Sequence, residues 1–140
     1  MWNNLLKSVA AAGILIVGLS GGPAMAQDRD GGWRHERDSF YQGEGWRMRL
    51  FDRVREDLDH VQATTLAGDD QYRLVRTKEQ LTNLQAKMAG HDYDEPQLDE
   101  VIASLNRILA DNRLSARERD MLTEDMNRMR EYREHRADWR

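Results

Sequence analysis

The chain has 140 residues, no cysteine and a formal net charge of −4, from 21 Lys and Arg against 25 Asp and Glu. The missing thiol excludes disulfide scaffolds, thiolate metal sites, thiol catalysis and lipid attachment through Cys. Charge of both signs without a basic excess argues against a nucleic-acid groove, and two Pro with 7% aromatics favour helices over a β-sandwich.

Residues 1–26 read as a secretory signal peptide. Lys7 and the amino terminus supply positive charge, an apolar core runs from Val9 to Leu19, and Gly21-Gly22-Pro23 breaks any helix. Ala24-Met25-Ala26 then forms the small-x-small cleavage pattern before Gln27. The apolar run falls short of the roughly 20 residues that a membrane-spanning helix needs. The sequence therefore predicts a periplasmic or secreted protein, cleaved after Ala26, with no stable membrane anchor.

Residues 27–45 are rich in glycine and charge and show no period of 3.6 or 2, so they read as a flexible arm. Trp33, Phe40 and Tyr41 are unusual in a solvated tail, and one or two of them are expected to fold back onto the helices. From Trp46 to Ala67 the spacing predicts a first helix, with Met48, Phe51, Val54, Leu58 and Val61 on one stripe and Gly68 as its terminator. Asp69 or Asp70 would cap a second helix carrying Leu74, Leu81, Leu84 and Met88, which Gly90 ends.

The third helix is expected over 95–111, with Leu98, Val101, Ile102, Leu105, Ile108 and Leu109 inward. The fourth is expected over 116–136, with Met121, Leu122, Met126, Met129 and Tyr132 inward and a tail over 137–140. Each of these two helices has a written start. Asp94 stands three residues before Gln97, and Ser115 three before Glu118, the capping-box spacing in which cap and N3 side chains satisfy each other's backbone N–H. Tyr93 and Leu98 stand at the spacing of a hydrophobic staple. Four stripes and short connections predict an all-α, antiparallel up-down four-helix bundle over 46–136.

Candidate chemistry is sparse. His91, Asp92, Asp94, Glu95, Asp99 and Glu100 form an acidic cluster, but it lacks the ligand spacing and central glycine of a calcium loop, and acids in a first helical turn already suit the macrodipole. Asp57 and His60, at i, i+3, resemble half of a di-iron ligand pair, with only Glu131 and His135 at i, i+4 to answer them. No phosphate-binding glycine loop, nucleophile elbow or zinc-protease helix motif occurs. The arginines of the fourth helix alternate with Glu124, Asp125, Glu131, Glu134 and Asp138, the pattern of an exposed, salt-bridged face. No catalytic, cofactor-binding or metal-binding residue is nominated.

Residues 73–136, and within them DYDEPQLDEVI and LADNRLSARERDML, resemble a group of small exported bacterial proteins of unknown function. That resemblance implies a helical domain and export, and no activity. Leu81-Thr82-Asn83-Leu84-Gln85 is similar to the LTxxQ signature of periplasmic stress proteins and chaperones. In that family the motif sits by a helix start; here it falls inside a helix.

The reading that follows is an exported, non-enzymatic helical module acting through protein–protein contacts, compatible with homo-oligomers and without nucleic-acid binding. The alternatives are a chaperone of the LTxxQ kind and a periplasmic metal-binding protein. Protein purified from its native envelope is expected to begin at Gln27. Intact mass spectrometry checks this, and a species retaining Met1 in the membrane fraction would overturn it.

Overall fold

The computed structural model describes residues 35–139. The expected signal peptide and residues 27–34 of the expected arm lie outside them. Within the arm, residues 35–42 are helical although no apolar period marks them. From Phe40 onward the chain forms one compact unit. Its helices are α1 (Trp46–Thr64), α2 (Gly68–Ala89), α3 (Glu95–Asp111) and α4 (Ala116–His135), followed by a 3-10 turn, Arg136–Trp139. Among the described residues there is no strand. Short connections make successive helices antiparallel. Thus α1 packs on α2, α2 on α3 and α3 on α4, while α4 returns to α1.

Each helix exists because it presents one apolar stripe, and the four stripes bury one another. Leu50, Val54 and Leu58 of α1 meet the interior with Leu74, Leu81 and Leu84 of α2, and all six are fully buried. Leu98, Leu105 and Ile108 of α3 and Met121, Leu122 and Met129 of α4 complete the core. Met88 and Leu109 reach it only in part. Met48 does not join it: its side chain is 91% exposed. On a helical wheel Met48 falls on the far side from Leu50 and Val54, and Trp46 and Leu50 take the inner turn instead.

The starts of α3 and α4 follow the caps in the sequence. Asp94 Oδ1 accepts the Gln97 N–H at 3.0 Å. Ser115 and Glu118 make the complete reciprocal box, at 3.2 and 2.8 Å. The Asp94 cap takes a different second partner: Lys87 Nζ binds its Oδ2 at 2.5 Å, while the Gln97 amide oxygen is buried without a hydrogen bond.

The junction of the first two helices differs from expectation. The first helix stops at Thr64, three residues early: the Thr65 N–H closes on Gln62 O at 3.2 Å and the Thr65 hydroxyl donates to the Val61 carbonyl at 2.7 Å. Gln71 Nε2 then satisfies the Gln62 and Thr65 carbonyls at 3.1 and 2.6 Å. Gly68 opens α2 rather than closing α1, and no side chain caps α2 at Ala67.

Gly90 ends α2 as expected, at its C-cap, with a φ of −83° that any residue adopts. His91 carries the left-handed φ of 60°. Asp92 N–H bonds to Lys87 O at 2.9 Å and His91 N–H to Met88 O at 3.0 Å, the double closure of a Schellman motif with His91 at C′.

The interior also holds charge. Asp125, expected on the outer face of the last helix, has no solvent exposure and accepts the Tyr41 hydroxyl at 2.9 Å. Its phase explains this: Met121, Leu122, Met126 and Met129 surround it on the same stripe. A buried carboxylate is tolerated when hydrogen-bonded, and Tyr41 brings such a donor from the segment that precedes α1. The arm residue Tyr41 is thus part of the core, as an aromatic folding back onto the helices.

At the end where α2 begins and α3 stops, Asp70 ties the two together. Its carboxylate accepts the Arg113 backbone N–H at 3.0 Å and the Arg73 guanidinium at 2.7 Å. Asn112 donates to Asp70 O at 3.2 Å and accepts from Arg73 Nε at 2.6 Å. The Arg113 N–H, with Arg73 beside it, holds the Asp70 carboxyl below the usual carboxylate value.

Two predictions follow from these contacts. Replacing His91 by Gly removes a left-handed non-glycine strain of about 1–2 kcal/mol, partly offset by the freer unfolded chain. The variant is expected to melt a few degrees higher, whereas Gly90→Ala changes little; a lower melting temperature for His91→Gly would refute the cap assignment.

Asp70 has its pKa depressed on folding, so its stabilisation is present above the unfolded carboxylate value near about 3.9. That contribution fades as pH falls through the lower folded value. Asp70→Asn should therefore be less stable than wild type at pH 7, with the gap closing under acid. Denaturant titrations at both pH values that show the same gap would remove the charge from the explanation.

Candidate functional site

The antiparallel order gathers four helix ends at the pole opposite Asp70: the starts of α1 and α3 and the finishes of α2 and α4. Aromatic side chains collect there. Tyr41 meets Trp46 edge-on at 6.1 Å, and Trp46 meets Trp139 at 5.7 Å. Tyr132 packs against Phe51 at 5.2 Å and Trp139 at 5.8 Å, with Tyr93 at 6.4 Å. Edge-to-face pairs of this kind each add about 0.5–1.5 kcal/mol beyond the area they bury. The 3-10 turn, read from the sequence as a tail, places Trp139 in this cluster.

Two arginines lie on the cluster. The Arg47 guanidinium stacks 3.8 Å above the Trp139 ring, and that of Arg136 lies 3.8 Å above Tyr93. Neither takes part in an ion pair among the described residues, and Arg47 Nε is buried without a hydrogen-bond partner. Arg128 differs: it faces Tyr41 and Trp46 at 4.9 and 5.3 Å but also pairs with Glu131 at 2.9 Å. Burial raises the Tyr93 phenol above its ordinary value, and its hydroxyl is buried without a partner.

Between these elements opens a cleft of about 580 Å³. Met48, Phe51, Met88 and Tyr132 give it apolar walls, and Arg47, Arg136 and Glu44 give it charge. A volume of this size falls in the range of sites for small ligands or a few side chains. Among its described lining residues there is no histidine, serine or threonine. The arrangement is suited to holding an apolar group that also carries negative charge.

The residues weighed from the sequence are placed elsewhere and separately. Asp57 is buried, 3.6 Å from Arg53, while His60 is exposed. Glu131 pairs with Arg128, and His135 Nδ1 lies 3.3 Å from Asp138. In the acidic cluster, Asp94 is the cap, Asp99 binds Arg133 at 2.6 Å, and His91 is the C′ residue of α2. Among the described residues no three His, Asp or Glu side chains stand together as a cation site would require. No described helix is long and apolar enough to cross a membrane.

Within Leu81–Gln85 the two leucines are fully buried. Thr82 donates to the Lys78 carbonyl, and Gln85 accepts from Arg55 at 2.5 Å and donates to Asp52 at 2.7 Å. The letters that match the LTxxQ signature thus pack α2 against α1.

Sequence reasoning missed the cleft. Its lining comes from three helices and a turn, and no local spacing joins Arg47 to Trp139. The one available signal was aromatic residues falling at helix ends that topology brings together: Trp46, Tyr93, Tyr132 and Trp139. Compared with protein-family models, with curated proteins and with solved structures, the chain matches none.

Proposed function

We propose that this protein is an exported up-down four-helix bundle that acts without catalysis, through contact with a protein partner. The observation that carries the reading is the mutual burial of the apolar stripes. Of the side chains an open holdase would offer to clients, Leu84, Met121, Met126 and Met129 are buried and Met88 is half-buried. The exposed large apolar side chains among the described residues fall in three separate places: Met48 at the cleft, Leu66 in the α1–α2 connection, and the neighbours Tyr72 and Val75 on α2. Small separate groups do not make the continuous patch that promiscuous client binding needs. The remaining surface is charged, with interhelical pairs such as Arg133–Asp99 and Lys78–Asp59. Export is inferred from Ala24-Met25-Ala26 and the apolar run before it.

A bundle of this kind is expected not to suppress aggregation of unrelated unfolded proteins at substoichiometric amounts, measured by light scattering. A native partner held on the immobilised protein is expected to elute as salt rises, since exposed charges are screened beyond roughly 10 Å at 0.1 M and roughly 3 Å at 1 M. Strong, salt-insensitive protection of several clients would sink this reading and favour the LTxxQ chaperone.

A further inference from the structure

We propose that the cleft between α1, α2 and the 3-10 turn docks an acidic peptide segment with an aromatic or long aliphatic anchor, contributed by a partner protein. The inference rests on the reading of this protein as a contact module and adds the chemistry of what it contacts.

The wall of the cleft is apolar and adaptable. Met48 is 91% exposed at its mouth, Met88 is half-buried, and Phe51 and Tyr132 lie behind them. Unbranched, polarisable methionine side chains fit irregular apolar anchors.

The cleft gathers cations on an acidic protein, in which Asp and Glu outnumber Lys and Arg by 25 to 21. Arg47 and Arg136 both line it. Two arginines against the single Glu44 leave it net positive on an acidic protein. Stacking on Trp139 and Tyr93 engages one face of each guanidinium; the Arg47 Nε is buried, so a carboxylate would meet that arginine at its two Nη groups, in a two-pronged manner. An anionic lipid surface is a poorer match, because such recognition draws on clusters of roughly four to eight basic residues. The combination fits a segment that presents carboxylates on either side of an apolar anchor.

The test uses the mature protein and a short fluorescein-labelled peptide with a central Phe-Leu flanked by Asp and Glu, read by anisotropy at low salt. A control peptide carries Asn and Gln in place of the acids. The acidic peptide is expected to bind, and the control to bind about a hundredfold more weakly, as loss of both charge-assisted contacts implies. Arg47→Gln and Arg136→Gln are expected to weaken the acidic peptide by about tenfold each on the same ground. Met48→Asp, at an exposed position where the helical fold is retained by circular dichroism, should abolish binding, and Leu66→Asp should leave it unchanged.

Equal binding of both peptides, indifference to the arginine and Met48 substitutions, or no binding at millimolar peptide would overturn the proposal. So would the same substitutions dissociating a dimer in sedimentation, or releasing the protein from phosphatidylglycerol vesicles, while the peptide fails to bind. Failure of the peptide with salt-sensitive partner retention intact would refute this docking chemistry alone; broad client protection would refute the contact-module reading itself.

Discussion

Mutual burial of four apolar stripes is the constraint on which the rest of this molecule depends. Burying one leucine side chain contributes about 1.5–3 kcal/mol, against roughly 1 kcal/mol for a helix cap. Leu50, Leu58, Leu74, Leu81, Leu84, Leu98, Leu105 and Leu122 are all fully buried, so the core outweighs every local terminus signal. No single helix could achieve this, because each presents charge on all but one face. The closure of α4 onto α1 completes the enclosure.

Within that frame the two poles are built differently. At one, Asp70, Arg73, Asn112 and Arg113 satisfy one another by hydrogen bonds that cross from α2 to the α3–α4 connection. Glu118 adds to it, since its Oε1 accepts the Thr64 hydroxyl at 2.6 Å while Oε2 closes the capping box. At the other pole ring edges and cations over ring faces join the Asp94 cap and its Lys87 contact. Aromatic contacts tolerate sliding more readily than a closed set of directional hydrogen bonds does. The aromatic pole opens into the cleft of about 580 Å³, and there Arg47 and Arg136 stack on ring faces, with no ion pair to a carboxylate among the described residues.

Asp125 shows how the interior recruits residues that a pattern of charge alone would assign to the surface. A carboxylate with no exposure is costly unless it is hydrogen-bonded, and the Tyr41 hydroxyl provides one such bond from outside the four helices. Tyr41 in turn meets Trp46 at the head of α1. The segment before α1 is therefore coupled to the core through a polar contact at one atom and a ring contact at another.

The sequence by itself determined the helical class, the number of stripes and the two capped starts, because these follow from spacing within a few residues of each position. Leu98 to Ile108 and Met121 to Tyr132 fall inward as the 3.6-residue period requires. Asp94 and Ser115 cap where they should, since a cap is a contact across three residues. Tertiary structure decided what local spacing cannot contain. It supplied the buried Asp125 with a donor from residue 41, which lies 84 residues away in the chain. It put the left-handed residue at the end of α2 on His91, where the closing hydrogen bonds of Asp92 and His91 fall. The cleft belongs to this second class: Arg47 and Trp139 lie at opposite ends of the helical region in sequence, and only the antiparallel return of α4 to the head of α1 sets one over the other.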